Sequence, residues 1–481
     1  MIARRSRFAL LGALLLLASA ARADLPRAVG RAFLDNGIPL THVAMIVQEV
    51  GKPRPLFSFD ADHPMNPASV MKLVTTFAAL EILGPDYQWK TEAYATAPVT
   101  DGVLHGDLVL KGYGDPKITL EQWQAFIASL RDAGLATIDG DLALDRSSFA
   151  LPPYDAAAFD GEALRPYNVG PDALLVNFKS VRFIFAPNAA NEVELRVEPP
   201  LPAVAVAGLP APAMGECNDW RSALSARFDD HPDRATATFG GRYPLGCDER
   251  DLWVSLLDHP HYVYQAFTAY FNAAGGHFAG GLKEKRVPPG ATLLATLTSP
   301  PLYDIVRDVN KLSNNVMARQ IFLSLALATA PPPATLEKAT DTVKRWLARR
   351  KLVLPDLTLE NGSGLSRNER ITAGGLLRLL LAADASKVRE EFASSLAVAA
   401  VDGTLQRRFQ NGTVAGQALL KTGSLEGVRA LAGYVIDADG RRFALVAIVN
   451  HPNAARGAPA LDALVQWVYR NGATWDRSRQ R

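Results

Sequence analysis

Two short runs near the start of the chain, "THVAMIVQEV" and "PLFSFDAD", have the apolar texture of strands, and Gly51 to Pro53 between them predict the turn of a hairpin. The period then changes. "ASVMKLVTTFAALEILG" carries apolar residues at helical spacing until Gly84 and predicts a buried helix. From about residue 91 to 283 the texture is short alternating runs broken by Gly and Pro, such as "GVLHGDLVLKGYGDP", "TIDGDLALDRSSF" and "TATFGGRYPLG". This region reads as β-rich, with only "LEQWQAFIASLRDAG" clearly helical. Helical periodicity returns in "PLYDIVRDVNKLSNNVMARQIFLSLALA", interrupted at turn-prone Lys311 to Asn315, and continues through "ATLEKATDTVKRWLARRK" and "AGGLLRLLLAA". "QALLKTGSLEGVRALAGYVIDADGRRFALVAIVNHP" predicts three strands, with a turn at Asp437 to Gly440 between the last two. "APALDALVQWVYRNG" closes the pattern as an amphipathic helix.

The two outer portions supply about five strands and several helices. An α+β domain is expected, built discontinuously from residues 24–90 and 284–481, with one antiparallel sheet between its first and last helices. Residues 91–283 are expected to form a large β-rich insertion of two subdomains. A chain of 481 residues has room for this, at roughly 100 to 200 residues per domain.

Composition narrows the class. Hydrophobic residues make up 48% and charged ones 21%, which is ordinary globular usage. The net charge is +2 and no Lys/Arg run occurs beyond the amino terminus, so no nucleic-acid partner is expected. The first residues place Arg4, Arg5 and Arg7 before an apolar segment from Phe8 to Ala18 and the small-residue site "ARA". That order predicts a secretory signal peptide over residues 1–23. An uncleaved amino-terminal anchor is the alternative, but the apolar segment is short for a bilayer core of about 30 Å, and no later stretch suits a transmembrane anchor. The mature chain is expected in the periplasm, soluble or peripherally associated with the membrane. Cys217 and Cys247 are its two cysteines. An oxidising compartment favours one disulfide between them, with two free thiols as the alternative.

"SVMK" places Ser69 three residues ahead of Lys72, on one helical face. Alone it is most simply a helix start with a solvated lysine. Two further signals follow in order: "SNN" at Ser313 to Asn315 and "KTG" at Lys421 to Gly423. The ordered trio is the signature of active-site serine penicillin-recognising enzymes. On this reading Lys72 accepts the Ser69 proton, the first helical turn favours the developing alkoxide, and burial together with Lys421 lowers the Lys72 pKa. Ser313 relays a proton to the leaving amine, and Asn315 fixes Lys72 or a substrate amide. Lys421 and Thr422 hold a substrate carboxylate, Gly423 leaves room for its backbone, and the N–H groups of Ser69 and Ser424 form an oxyanion hole. "SRN" at Ser366 to Asn368 also fits S-x-N. Ser313 is preferred because it precedes an amphipathic helix able to bury it in a cleft. The histidines fall in no Ser-His-Asp frame, and "HPH" at His259 to His261 is too slight for a zinc peptidase and reads as a turn.

The segments "PASVMKLVTT", "KLSNNVMARQ", "NGSGLSR" and "LLKTGSLEG" resemble those of the D-alanyl-D-alanine carboxypeptidase/endopeptidase family, class C low-molecular-mass penicillin-binding proteins of the penicillin-binding protein 4 type. "GYGDP" and "LDRSSF" resemble stretches of that family's inserted region. The resemblance covers nearly all of the mature chain. It implies a penicillin-binding transpeptidase/β-lactamase-like fold and acyl-enzyme cleavage of D-Ala-D-Ala or of peptide cross-links in peptidoglycan. It further implies covalent inhibition by β-lactam antibiotics and no metal or organic cofactor. Asp145 matches the family position that presents a carboxylate to the amino group of diaminopimelate in the stem peptide; a turn aspartate is the simpler reading. Asn361 stands where the family would have aspartate, and Tyr113 where glycine is commoner. A β-lactamase or esterase using the same nucleophile, and a noncatalytic wall-binding or penicillin-sensing module, are the competing classes. The intact trio argues against the second.

Overall fold

The structure, a computed structural model, describes residues 25–354, 356–410 and 412–479. The expected signal segment, 1–23, lies outside the described residues. Six antiparallel strands make the central sheet in the order Phe57–Phe59, Val43–Glu49, Arg442–Asn450, Val428–Ile436, Ala418–Leu425 and Ala397–Val398. The two-residue period of its middle strands feeds two cores. Ala430, Ala432, Tyr434, Ala444, Val446 and Ile448 enter one apolar layer, and Leu431, Val435, Phe443, Leu445, Ala447 and Val449 enter the other. Helices Lys72–Ile82, Leu302–Leu312, Asn315–Thr329 and Ala373–Asp384 fill the first layer. Arg27–Asp35 and Ala458–Arg479 cover the second. The sequence pattern does not reveal helix Arg27–Asp35, because only Val29, Gly30 and Phe33 of it are buried. Among the described residues, no helix is long and apolar enough to cross a membrane.

The insertion departs from expectation in two respects. Thr292–Thr298 pairs with Lys90–Ala95 at the edge of a five-stranded sheet, so the insertion closes at residue 298 and not at 283. That pairing joins segments about 200 residues apart and leaves no local signal. His259–Ala273 is a helix, where "HPH" reads as a turn: the Asp258 side chain caps it by accepting from the His261 N–H at 2.8 Å, and Pro260 occupies its first turn. A single apolar cluster runs from Ala93 through Phe185 and Tyr243 to Ala295, so the sheets of the insertion share one core.

Cys217 and Cys247, 30 residues apart, are disulfide-bonded. Closing a loop of that length is worth roughly 3–4 kcal/mol in the chain-entropy account. Reduction is therefore expected to lower the melting temperature while leaving labelling by penicillin intact. An unchanged melting curve after verified reduction would contradict this.

Candidate active site

Ser69 sits in a 3₁₀ turn, Ala68–Met71, that runs directly into helix Lys72–Ile82. Val70, Met71 and Leu73 are drawn into the core, which leaves Ser69 half-buried at the edge of the layer. One turn on, Lys72 lies on the same side, with Nζ donating to Ser69 Oγ at 2.9 Å. Lys72 Nζ also donates to Asn315 Oδ1 at 2.6 Å and to the Ser363 carbonyl.

Two residues beside this centre hold left-handed backbone without being glycine: Ala68 at φ 48° and Ser313 at φ 59°. Each such conformation costs roughly 1–2 kcal/mol and has to be held by its surroundings. Asn66 braces Ala68 by accepting its N–H at 2.8 Å and donating to the Ser366 carbonyl at 2.8 Å. Asn66 is in turn tied to Asn450 by two bonds, from its N–H to Asn450 Oδ1 at 2.8 Å and from Asn450 Nδ2 to its carbonyl at 2.9 Å. Ser313 ends helix Leu302–Leu312, and Asn314 caps the next helix by accepting from the Met317 N–H at 3.0 Å. This break turns the Ser313 hydroxyl toward Lys421.

Lys421 belongs to the strand Ala418–Leu425, where alternation puts Leu419, Lys421 and Gly423 on the face toward the nucleophile helix. Its Nζ donates to Ser313 Oγ at 2.8 Å and to the Thr422 carbonyl at 2.8 Å. Thr422 Oγ1 meets Thr404 Oγ1 at 2.8 Å. Gly423 allows close approach: a Cβ there would stand 2.5 Å from the Pro67 carbonyl. Ser424 is exposed on the same strand, opposite Arg429.

The electrostatics follow from burial. Lys72 and Lys421 have no exposed surface. Burial holds the Lys72 pKa well below the usual 10.5, reinforced by Lys421 and then Arg319, while Glu369 acts in the opposite sense. Burial brings Lys421 down to about 7. A neutral amine at position 72 beside a serine hydroxyl has the composition of a general base and nucleophile.

Of the residues expected from sequence, Ser69, Lys72, Ser313, Asn315, Lys421 and Thr422 converge, with Gly423 packed behind Ala68. Ser366 does not join them. Its hydroxyl donates to Glu360 and accepts from the Asn368 and Glu369 N–H groups, closing a turn. Asp145 also lies apart from this centre and is 1% exposed. It accepts from Ser147 Oγ at 2.6 Å, from the Ser147 N–H at 3.1 Å and from the Val287 N–H at 3.0 Å, and pairs with Lys111 at 3.4 Å. The sequence reading misses the Ser363 carbonyl, Arg319, Thr404 and Glu369. Their side chains and backbone atoms carry no local signal, although "NGSGLSR" marks the loop that holds one of them.

The insertion contributes a wall. Arg319 donates to the Val169 carbonyl at 2.8 Å, Gln320 exchanges bonds with the Asp172 backbone at 2.7 and 3.0 Å, and Asn315 Nδ2 donates to the Tyr167 carbonyl at 3.4 Å. Between this wall and residues 360–368 lies a cavity of about 1280 Å³, lined among others by Arg146, Tyr154, Asp155, Arg319, Asn361 and Arg367. It opens beside the serine rather than on it. Leu365, on its rim, packs with Ala68, the residue before Ser69. The volume exceeds the 300–1,000 Å³ or so typical of small-molecule pockets, which suits a ligand of peptide length.

Comparison with known proteins agrees with this architecture. The sequence model of the D-Ala-D-Ala carboxypeptidase 3 (S13) family matches residues 25–471. The chain is 25% identical over 420 residues to the D-alanyl-D-alanine carboxypeptidase DacB of Haemophilus influenzae, covering 85% of each chain. It is 29% identical over 418 residues to the D-alanyl-D-alanine carboxypeptidase of an Actinomadura species, covering 82% of this chain and 75% of that one. The fold is similar to the crystal structure of penicillin binding protein 4 from Haemophilus influenzae, with a TM-score of 0.74 and 23% identity over 91% of this chain and 99% of that one.

Proposed function

The chain belongs to the D-Ala-D-Ala carboxypeptidase 3 (S13) family and is a serine-type D-Ala-D-Ala carboxypeptidase of the penicillin-binding kind; from that premise we propose how its residues divide the work. Ser69 is the nucleophile and Lys72 the base that takes its proton. The observation that carries this is the Lys72 amine, buried without exposed surface and 2.9 Å from Ser69 Oγ. Attack on the penultimate D-alanine carbonyl forms the acyl-enzyme. The oxyanion is met by the N–H groups of Ser69 and Ser424, the former in the opening turn of a helix, where backbone donors lack intrahelical partners. Ser313, 2.8 Å from Lys421, returns a proton to the leaving amine. Lys421 and Thr422 bind the terminal carboxylate, and Asn315 keeps Lys72 aimed. Water then releases the shortened peptide and restores Ser69.

The substrates are peptidoglycan stem peptides, cut at a free D-Ala-D-Ala end, or cross-links between stems. β-Lactams act as covalent inhibitors at the same serine. Residues 1–23 and the nature of the substrate both fit export to the periplasm. Incubation with purified muropeptide monomers and dimers tests the activity: loss of terminal D-alanine from monomers marks the carboxypeptidase, conversion of dimers to monomers marks the endopeptidase, and neither product from folded native protein refutes the reading.

Asp145 is proposed to select the diaminopimelate amine. It lies in the cavity wall, and the longest of its contacts, the pair with Lys111 at 3.4 Å, is the one a substrate ammonium can replace. Asp145→Asn is expected to reduce cleavage of diaminopimelate-bearing peptides several-fold or more, in keeping with charge pairing that sets specificity. Acylation by benzylpenicillin, which lacks that amine, should change little. Equal losses on both substrates would mean that Asp145 only holds the wall together.

A further inference from the structure

The loop 360–364 is held against the catalytic centre from several sides. Lys72 Nζ donates to the Ser363 carbonyl, and Thr75 Oγ1 donates to the Gly362 carbonyl at 2.6 Å. Gly364, at φ 80°, leaves no room for a side chain: a Cβ would stand 2.0 Å from the Ala68 carbonyl and 2.8 Å from the Ser69 nitrogen. Displacement of this loop therefore moves both the base and the turn that carries the nucleophile.

One carboxylate gathers the loop from beneath. Glu369 has no exposed surface, and its Oε1 accepts the N–H groups of Glu360, Asn361 and Gly362 at 3.1, 3.1 and 3.3 Å. Its Oε2 is buried without a hydrogen-bond partner among the described residues. Three donors on one oxygen leave little freedom, and an unpartnered buried carboxylate oxygen is costly unless an opposite charge nearby offsets it. The charged groups around it are Lys72, from the nucleophile helix, and Arg319, from helix Asn315–Thr329, with Lys421 beyond Lys72. Arg370, next along the loop, donates to the Arg367 and Glu369 backbone carbonyls at 2.7 and 2.9 Å and makes no bond to the Glu369 carboxylate among the described residues.

We propose that Glu369 is a positioning residue for acylation: its carboxylate binds the backbone of residues 360–362 and so keeps the Ser363 carbonyl on Lys72 and Gly364 against Ser69. Burial pushes the Glu369 pKa up, against the three N–H groups and Lys72, which act to lower it; as a carboxylate it also places a negative charge under a loop whose Asn361 is neutral. This rests on the reading of Ser69 as nucleophile and Lys72 as base. Protons follow from it simply. Glu369 raises the affinity of Lys72 for its proton, while burial, Lys421 and Arg319 lower it; removing the charge at 369 leaves only the lowering influences.

The test is the rate of Ser69 acylation by a fluorescent penicillin against pH, for native protein, Glu369→Gln and Glu369→Asp, with thermal unfolding of each. Glu369→Gln keeps an acceptor oxygen but not the charge. It is expected to fold, to acylate roughly ten- to a hundredfold more slowly at its plateau, as small misplacements of reacting groups do, and to shift the acid limb of the profile to lower pH. Glu369→Asp keeps the charge on a shorter arm and is expected to lower the plateau with the limb unmoved. A native plateau and limb in Glu369→Gln, or an equal limb shift in both variants, overturns the inference. If Glu369→Gln does not fold, Glu369→Asp decides by its plateau, reduced in support and native in refutation. Peptide mapping of labelled native protein separates the two readings: label on another residue removes the Ser69 assignment, whereas label on Ser69 with indifferent variants removes only the role of Glu369.

Discussion

Replacing Lys72 by methionine is expected to slow acylation of Ser69 by benzylpenicillin by about 10²–10⁴-fold, the range over which a positioned general base acts. Methionine keeps the length and most of the volume of the buried stem, so helix Lys72–Ile82 retains its packing in a layer where residues 72 to 80 are all buried. What it removes is the nitrogen 2.9 Å from Ser69 Oγ. Stopped-flow or gel readout of a fluorescent penicillin measures the rate, and thermal unfolding checks the fold. Acylation at the native rate by the folded variant would exclude Lys72 as the base.

The same experiment across pH carries a sign. Lys72 works only when neutral, so native acylation falls as pH drops through its pKa. Because burial, Lys421 and Arg319 lower that pKa, the acid limb should lie well below the ordinary lysine value of 10.5. Lys421 works as a cation, and burial brings it to about 7. Its hold on a substrate carboxylate should weaken as pH rises above that value, although the bound carboxylate itself favours the charged form and moves the limb upward. The methionine variant should lose the acid limb and keep the alkaline one.

Much of this centre is legible in the sequence because its parts are short and local. Ser69 and Lys72 are related by one helical turn, and Lys421, Thr422 and Gly423 by the alternation of one strand. The central sheet is legible for a similar reason: "RFALVAIVN" is apolar at nearly every position because both its faces are buried. What the sequence hides is long-range. Pairing of Thr292–Thr298 with Lys90–Ala95 sets the true limit of the insertion, and nothing in either strand names its partner. Glu369 reaches three N–H groups seven to nine residues back along a loop, and no periodicity distinguishes it from a surface glutamate. Helix His259–Ala273 is hidden by aromatic residues that also suit strands, its capping Asp258 and first-turn Pro260 being the local cues.

Benzylpenicillin is expected to leave a penicilloyl adduct on Ser69 that persists for minutes or longer. The attacking oxygen meets a strained amide whose carboxylate Lys421 and Thr422 can hold, so acylation follows the route of the natural substrate. Deacylation is a separate step that needs a base aimed at water on the acyl carbonyl. Class A β-lactamases supply a glutamate for this, in an E-x-x-x-N segment, and no such segment occurs between Asn315 and Lys421. Glu369, the buried carboxylate beneath the loop, cannot substitute: one oxygen is taken by three backbone N–H groups and the side chain has no exposed surface from which to reach water. A departing D-alanine vacates the cleft, but the opened penicillin keeps its amine tethered beside Ser313, where it obstructs water. Intact-mass measurement should therefore show one added penicillin on native protein and none on Ser69→Ala, with the label in the peptide containing Ser69. Rapid turnover without a trapped adduct would identify a β-lactamase instead, and a label on any other serine would displace the nucleophile from position 69.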